Sequence, residues 1–91
     1  MEIRNAVHPH DFKQYTTERL REEFLIPVLF TPDGVHLVYS HIDRIITGGA
    51  MPVSRPLTLD AGEELRAAYF LERRELGVIN IGGAGSVTVD G

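Results

Sequence analysis

The sequence predicts a mainly β protein, an antiparallel β-sandwich or barrel entered through a short helical extension. Three observations predict it. Beyond Pro32-Asp33-Gly34, segments rich in β-branched and aromatic residues recur at intervals of roughly 8–12 residues, with Gly and Pro between them. Only the stretch before Pro27 spaces its apolar residues as a helix does. The hydrophobic share of 43% is that of an ordinary folded chain and excludes wholesale disorder.

Asp11-Phe12-Lys13-Gln14 has the spacing of a capping box, and Thr16-Thr17 can cap a second helical segment through Arg19 to Phe24. Leu20 and Phe24 stand four apart on its one face. Pro27 stops any continuation, because it has no N–H to donate. Val28-Leu29-Phe30 then reads as the first strand, closed by Pro32-Asp33-Gly34. Val35 to Ser40 is the next, and Ile42 to Thr47 continues or follows it until Gly48-Gly49 breaks the run. Met51 to Leu59 is extended, with Pro52 and Pro56 confining it to an edge or an irregular path. After a turn at Asp60-Ala61-Gly62, Glu63 to Arg66 is a loop or one helical turn, and Ala67 to Leu71 is a strand. Val78 to Ile81 and Val87 to Val89 complete the set, so residues 1–27 form the extension and 28–91 a partial sandwich.

The closing Asp90-Gly91 is a strong hairpin signal, since both residue types accept φ > 0, yet no partner strand follows it in this sequence. An unpaired strand leaves backbone donors and acceptors open along an edge. The expectation is a front piece of a longer protein, in which Ser86 to Val89 pairs within the chain or with a neighbour.

A chain of 91 residues makes one small domain, burying only about 60–65% of its unfolded surface and hence marginally stable alone. Nine basic against thirteen acidic residues give a net charge of −4 without a basic stripe, which argues against nucleic acid as a partner. Zero Cys excludes disulfides, thiolate metal sites and a Cys nucleophile. The start of the chain lacks the apolar region of a signal peptide, and no apolar run approaches the ~18 residues of a spanning helix. A cytoplasmic protein with no membrane partner is expected.

Functional groups are densest at Tyr39-Ser40-His41-Ile42-Asp43-Arg44. On an unbroken strand Tyr39, His41 and Asp43 share one face, so His41 and Asp43 can form an acid/base pair in which the carboxylate fixes the imidazole tautomer. The plainer alternative is a hydrogen-bonded pair beside the core or at a subunit contact. These, with Arg44, are the catalytic candidates. Glu72-Arg73-Arg74-Glu75 supplies the substrate-binding candidates, Arg73 and Arg74, because a guanidinium fork clamps a carboxylate in bidentate fashion. An exposed or interfacial network of charges is the alternative there. His8-Pro9-His10 has the spacing of a metal-binding strand but lacks further ligands, and reads as a solvated turn. Gly82-Gly83-Ala84-Gly85 lacks the Lys and the following helix of a phosphate loop, so it is a turn, and Ser86 lacks the setting of a nucleophile.

Two blocks, Tyr39 to Ile46 with Gly48-Gly49 and Met51-Pro52 just after, and Tyr69 to Gly85, resemble the 5-keto-4-deoxyuronate isomerases. These are also called 4-deoxy-L-threo-5-hexosulose-uronate ketol-isomerases. The resemblance extends through essentially all 91 residues and covers the N-terminal third or so of the family's chain. It implies a double-cupin β-sandwich, of which this chain holds most of the first, an incomplete cupin-like antiparallel sandwich, and lacks the second. It further implies a zinc-dependent homohexamer in the breakdown of pectin-derived uronates, producing 3-deoxy-D-glycero-2,5-hexodiulosonate. The family's zinc ligands come from a His-x-His-x4-Glu stretch and a later histidine, all beyond the part matched here. The resemblance therefore places no metal, no cofactor and no catalytic residue on this chain, and implies that the 91 residues alone are inactive. The competing class is a non-enzymatic β module that self-associates or binds a uronate through Arg73 and Arg74. A relative such as 5-deoxyglucuronate isomerase fits the two blocks less well.

Overall fold

The middle of the chain is organised by one tight hairpin, and everything ordered around it is arranged by reach to that hairpin. The computed structural model describes residues 1–90 and contains, in chain order, β1 (Glu2–Arg4), a 3-10 turn (Phe12–Gln14), α1 (Thr17–Phe24), β2 (Val35–Ser40) and β3 (Ile45–Ala50). The strands form one mixed sheet in the order β1-β2-β3. β2 and β3 are antiparallel, with Val38 opposite Thr47, while β1 runs parallel to β2 and sets Glu2 opposite Val38.

Thr16 caps α1 as its sequence suggests, its side chain accepting a hydrogen bond from the Arg19 N–H at 3.2 Å. The helix ends at Phe24, and Pro27 lies just beyond the extended Leu25. Arg4 ties the end of α1 to the sheet by donating from Nη1 to the Leu25 carbonyl. Asp11 does not act as a capping-box residue. Its backbone is itself helical, its side chain accepts nothing, and the 3-10 turn closes on backbone bonds alone, Gln14 N–H donating to the Asp11 carbonyl at 3.1 Å.

Pro32 and Asp33 turn the chain into β2, with the Gly34 N–H donating to the Thr31 carbonyl at 3.0 Å and Asp33 at φ 56°, the arrangement of a type II turn. The turn also locks the far end of the hairpin. Asp33 Oδ1 accepts the N–H groups of Val53 and Ser54, each at 2.9 Å, and Oδ2 accepts the Ser54 hydroxyl at 2.6 Å. Leu29 and Phe30 cross β3 at Gly49, where an added Cβ would stand 2.5 Å from the Leu29 carbonyl oxygen.

The mainly β prediction holds, with fewer ladders than the sequence suggests. Residues 28–30, 51–59, 67–71, 78–81 and 87–89 carry strand-type sequences but join no ladder among the described residues, and β1 enters the sheet instead. Ala67 to Leu71 bends because the Glu72 N–H donates back to the Tyr69 carbonyl at 3.2 Å. Val78 to Val89 lies in the open, with Ile79 89% exposed. Asp90 adopts the left-handed backbone expected of a hairpin residue, φ 54°, while Gly91 lies outside the described residues. The glycine turn is shaped by Asn80, whose Oδ1 accepts the Gly82 N–H at 3.0 Å and whose Nδ2 donates to the Gly83 carbonyl at 2.9 Å. Among the described glycines only Gly62 has positive φ.

The core is small: among the described residues Val38, Ala61 and Phe70 are its buried apolar members. The accessible surface of 7587 Å² exceeds by about 2,300 Å² what a folded monomer of this size exposes. The radius of gyration, 15.4 Å, likewise exceeds the ~12 Å of a closed domain of this length.

Candidate functional site

The two regions the sequence marks as chemically dense meet in space. β2 ends at Ser40 and residues 41–44 form the hairpin loop, so the alternation of a strand stops before His41. The His41 N–H donates to the Arg4 carbonyl at 2.9 Å, and Asp43 and Arg44 turn the chain with φ of 59° and 53°. His41 and Asp43 therefore do not share a strand face, and among the described residues no hydrogen bond or ion pair joins them. The imidazole lies edge-on to Tyr39, with ring centroids 5.0 Å apart.

Arg44 and the 65–74 segment close a groove of about 450 Å³ against Tyr39, with Arg73 and Arg74 on its wall and Leu65 and Phe70 as apolar lining. Arg74 is half-buried. Its Nη1 donates to the Arg44 carbonyl at 3.1 Å and its Cζ stands 5.1 Å from the Tyr39 ring centroid. Arg73 Nη1 donates to the Arg66 carbonyl at 3.4 Å. Glu72, which an extended backbone would set on the same face as Arg74, instead turns its carboxylate to the Ala68 N–H at 3.0 Å. That bend leaves the guanidinium groups without their sequence neighbour.

The other three histidines lie elsewhere. His8 and His10 stack at 5.4 Å, and His8 Nδ1 accepts the His10 N–H at 3.1 Å. His36 Nε2 lies 2.6 Å from the Thr31 hydroxyl. Among the described residues no three His, Cys, Asp or Glu side chains converge as cation ligands. Among the described residues the donors do not fit a zinc site.

Asp33 is the one described group whose acidity moves clearly. The Ser54 hydroxyl, and then the Val53 and Ser54 N–H groups, hold its carboxyl down at about 2 from an ordinary 3.8. Sequence reading saw only its turn, although Pro-Asp-Gly carries the second signal too, since a turn Asp accepts backbone N–H groups. Tyr39, Leu65 and Phe70 as walls of the arginine groove had no local signal, because residues 39 and 70 meet only through the fold.

Comparison with known proteins gives the class of relative first: the proteins most usefully set beside this chain are ketol-isomerases of a uronate. The particular name is 4-deoxy-L-threo-5-hexosulose-uronate ketol-isomerase. The protein of that name from Lachnoclostridium phytofermentans is 65% identical over 91 residues, all of this chain and 33% of the relative. Those of Bacillus pumilus and Escherichia coli are 58% and 53% identical, again across the whole chain and covering 33% and 34% of the relatives. The chain thus spans about a third of the length of the curated relatives it matches. The resemblance carried by two sequence blocks is a resemblance of the entire chain. No protein-family model matches it. In the described residues no helix is long and apolar enough to cross a membrane.

Proposed function

We propose that these 91 residues supply one third of a ketol-isomerase acting on a 4-deoxy-hexosulose uronate, and that they are inactive without the remainder. The observation that supports this most strongly is identity of 52–65% across the whole chain to proteins bearing that name. The surface supports it independently. An excess of about 2,300 Å² is more than a standard protein–protein interface buries, so the chain has the area of an element made to be covered.

Ketol isomerisation moves a proton between neighbouring carbons and needs a base, together with a group that stabilises the enediolate oxygen. His41 and Asp43 are exposed and unpaired with each other in the described residues, and no cation ligands converge. The base and the electrophile are assigned, as the resemblance implies, to the remainder of such an isomerase. With them go the zinc site, the completed cupin-like sandwiches, the assembly of identical chains and the role in pectin breakdown that the resemblance implies. The chain's own contribution is scaffold and one wall of charge.

The test is an assay of aldehyde–ketone interconversion on the uronate substrate, with zinc supplied, using the 91-residue chain alone and the chain joined to the rest of a matching isomerase. Turnover is expected only from the joined protein. Turnover by the 91 residues alone overturns the assignment of chemistry to the remainder, and an inactive joined protein overturns the isomerase assignment itself.

A further inference from the structure

The groove between the hairpin loop and residues 65–74 holds three arginines, Arg44, Arg73 and Arg74, in a protein whose net charge is −4. Acidic residues outnumber basic ones by thirteen to nine, so a cation met at random should find a carboxylate. The ion pairs lie elsewhere: Met1 with Glu64, Arg4 with Glu2, and Arg19 with Glu23. Among the described residues no carboxylate stands within 4.0 Å of any of the three groove guanidinium groups.

The guanidinium groups of Arg73 and Arg74 are nonetheless held in place. Arg74 is fixed by the Arg44 carbonyl and by the Tyr39 ring, Arg73 by the Arg66 carbonyl. Both carbonyls belong to residues in the left-handed region, Arg44 at φ 53° and Arg66 at φ 48°. Such a backbone is unfavourable for a side chain as large as arginine and persists only where its surroundings enforce it. Each tether uses one of a guanidinium's five N–H donors and leaves the rest of the fork free for a planar oxyanion. Phe70 and Leu65 give the groove an apolar side, which suits the ring or chain carbons of an acid rather than a bare ion. Its volume of about 450 Å³ falls in the range of small-molecule pockets.

We infer that this groove binds the carboxylate of a sugar acid, with Arg73 and Arg74 as its bidentate readers and Arg44 as the third positive wall. Recognition of a carboxylate stands on the geometry alone. Only the choice of a sugar acid as its bearer rests on the proposed isomerase function.

The test is calorimetric titration of the 91-residue chain at low salt with D-galacturonate, D-galactose and inorganic phosphate. Saturable binding of galacturonate is expected, with none of galactose and weaker binding of phosphate. Arg74→Gln should weaken galacturonate by about tenfold or more, and Arg19→Gln, outside the groove, should leave it unchanged. Arg74→Lys keeps a donor for the Arg44 carbonyl and so keeps the loop, but it removes the fork, and it should also weaken binding. Galactose binding as well as galacturonate, phosphate binding more tightly than galacturonate, undiminished affinity in Arg74→Lys, or no galacturonate binding would each overturn the assignment. Failure of the isomerase assay with galacturonate binding retained separates the two proposals.

Discussion

Residues 31–54 and residues 76–90 are both rich in β-branched and apolar side chains, yet only one of them is structured by its neighbours. In the first, Val38 is 5% exposed, β2 and β3 pair along their whole length, and Asp33 bolts the open end. In the second, Ile79 is 89% exposed, every described residue from Glu75 onward is exposed, and Asn80 makes the local bonds. Strand propensity does not separate them. The difference is a partner within reach: a four-residue loop brings β3 to β2, whereas Val78 to Val89 finds no ladder among the described residues. β-propensity expresses fit to a half-buried pleated surface and does nothing where no such surface exists.

Glycine substitutions test that contrast most strongly. Gly49→Ala drives a methyl to 2.5 Å from the Leu29 carbonyl oxygen and 2.9 Å from the Phe30 ring, and should cost about 1–3 kcal/mol in urea unfolding. Gly83→Ala meets nothing within 4 Å and should change stability by less than about 0.5 kcal/mol. Equal costs at the two positions would erase the distinction between the regions. A second test asks how far the ordered region extends. Thr16→Ala removes the hydroxyl that accepts the Arg19 N–H and should cost about 1 kcal/mol, read as lost helical ellipticity. An unchanged spectrum would place α1 outside the cooperative unit. The smallest effect follows acidity, because Asp33 lies at the surface. Its folded pKa is depressed, so its contribution is present above the ordinary 3.8 and fades as pH falls toward about 2. Protection of the Val53 and Ser54 amides, taken relative to the intrinsic exchange rate at each pH, should fall through that window while that of exposed Val87 stays constant. Constant protection of Val53 and Ser54 down to pH 2 would remove Asp33 as the bolt.

Local chemistry was readable. Thr16 as a cap, Pro27 as a stop, Pro32-Asp33-Gly34 as a turn and Val35 to Ser40 as a strand all depend on neighbours a few residues away, and all appear as the sequence suggests. Pairing was not readable. β1 has three residues and no periodicity to announce it, and its place beside β2 is decided by residues more than thirty positions away. The same limit governs the site. The sequence marks Arg44 apart from Arg73 and Arg74, and a groove joining them needs the bend at 67–72 that a strand there would not make. The alternation that would relate His41 to Asp43 ends at Ser40, one residue before His41.

β1 also sets an order of events in time. The hairpin closes over the four residues 41–44, but Glu2 meets Val38 only after the 35 residues between them have been gathered. Closing the longer loop costs more entropy and returns only three paired positions. The sheet is thus assembled from its middle outward, hairpin first and β1 last. Under strain the reverse sequence is expected, with Met1 to Arg4 peeling away first and freeing the end of α1, whose Leu25 carbonyl Arg4 holds, while β2 and β3 remain joined.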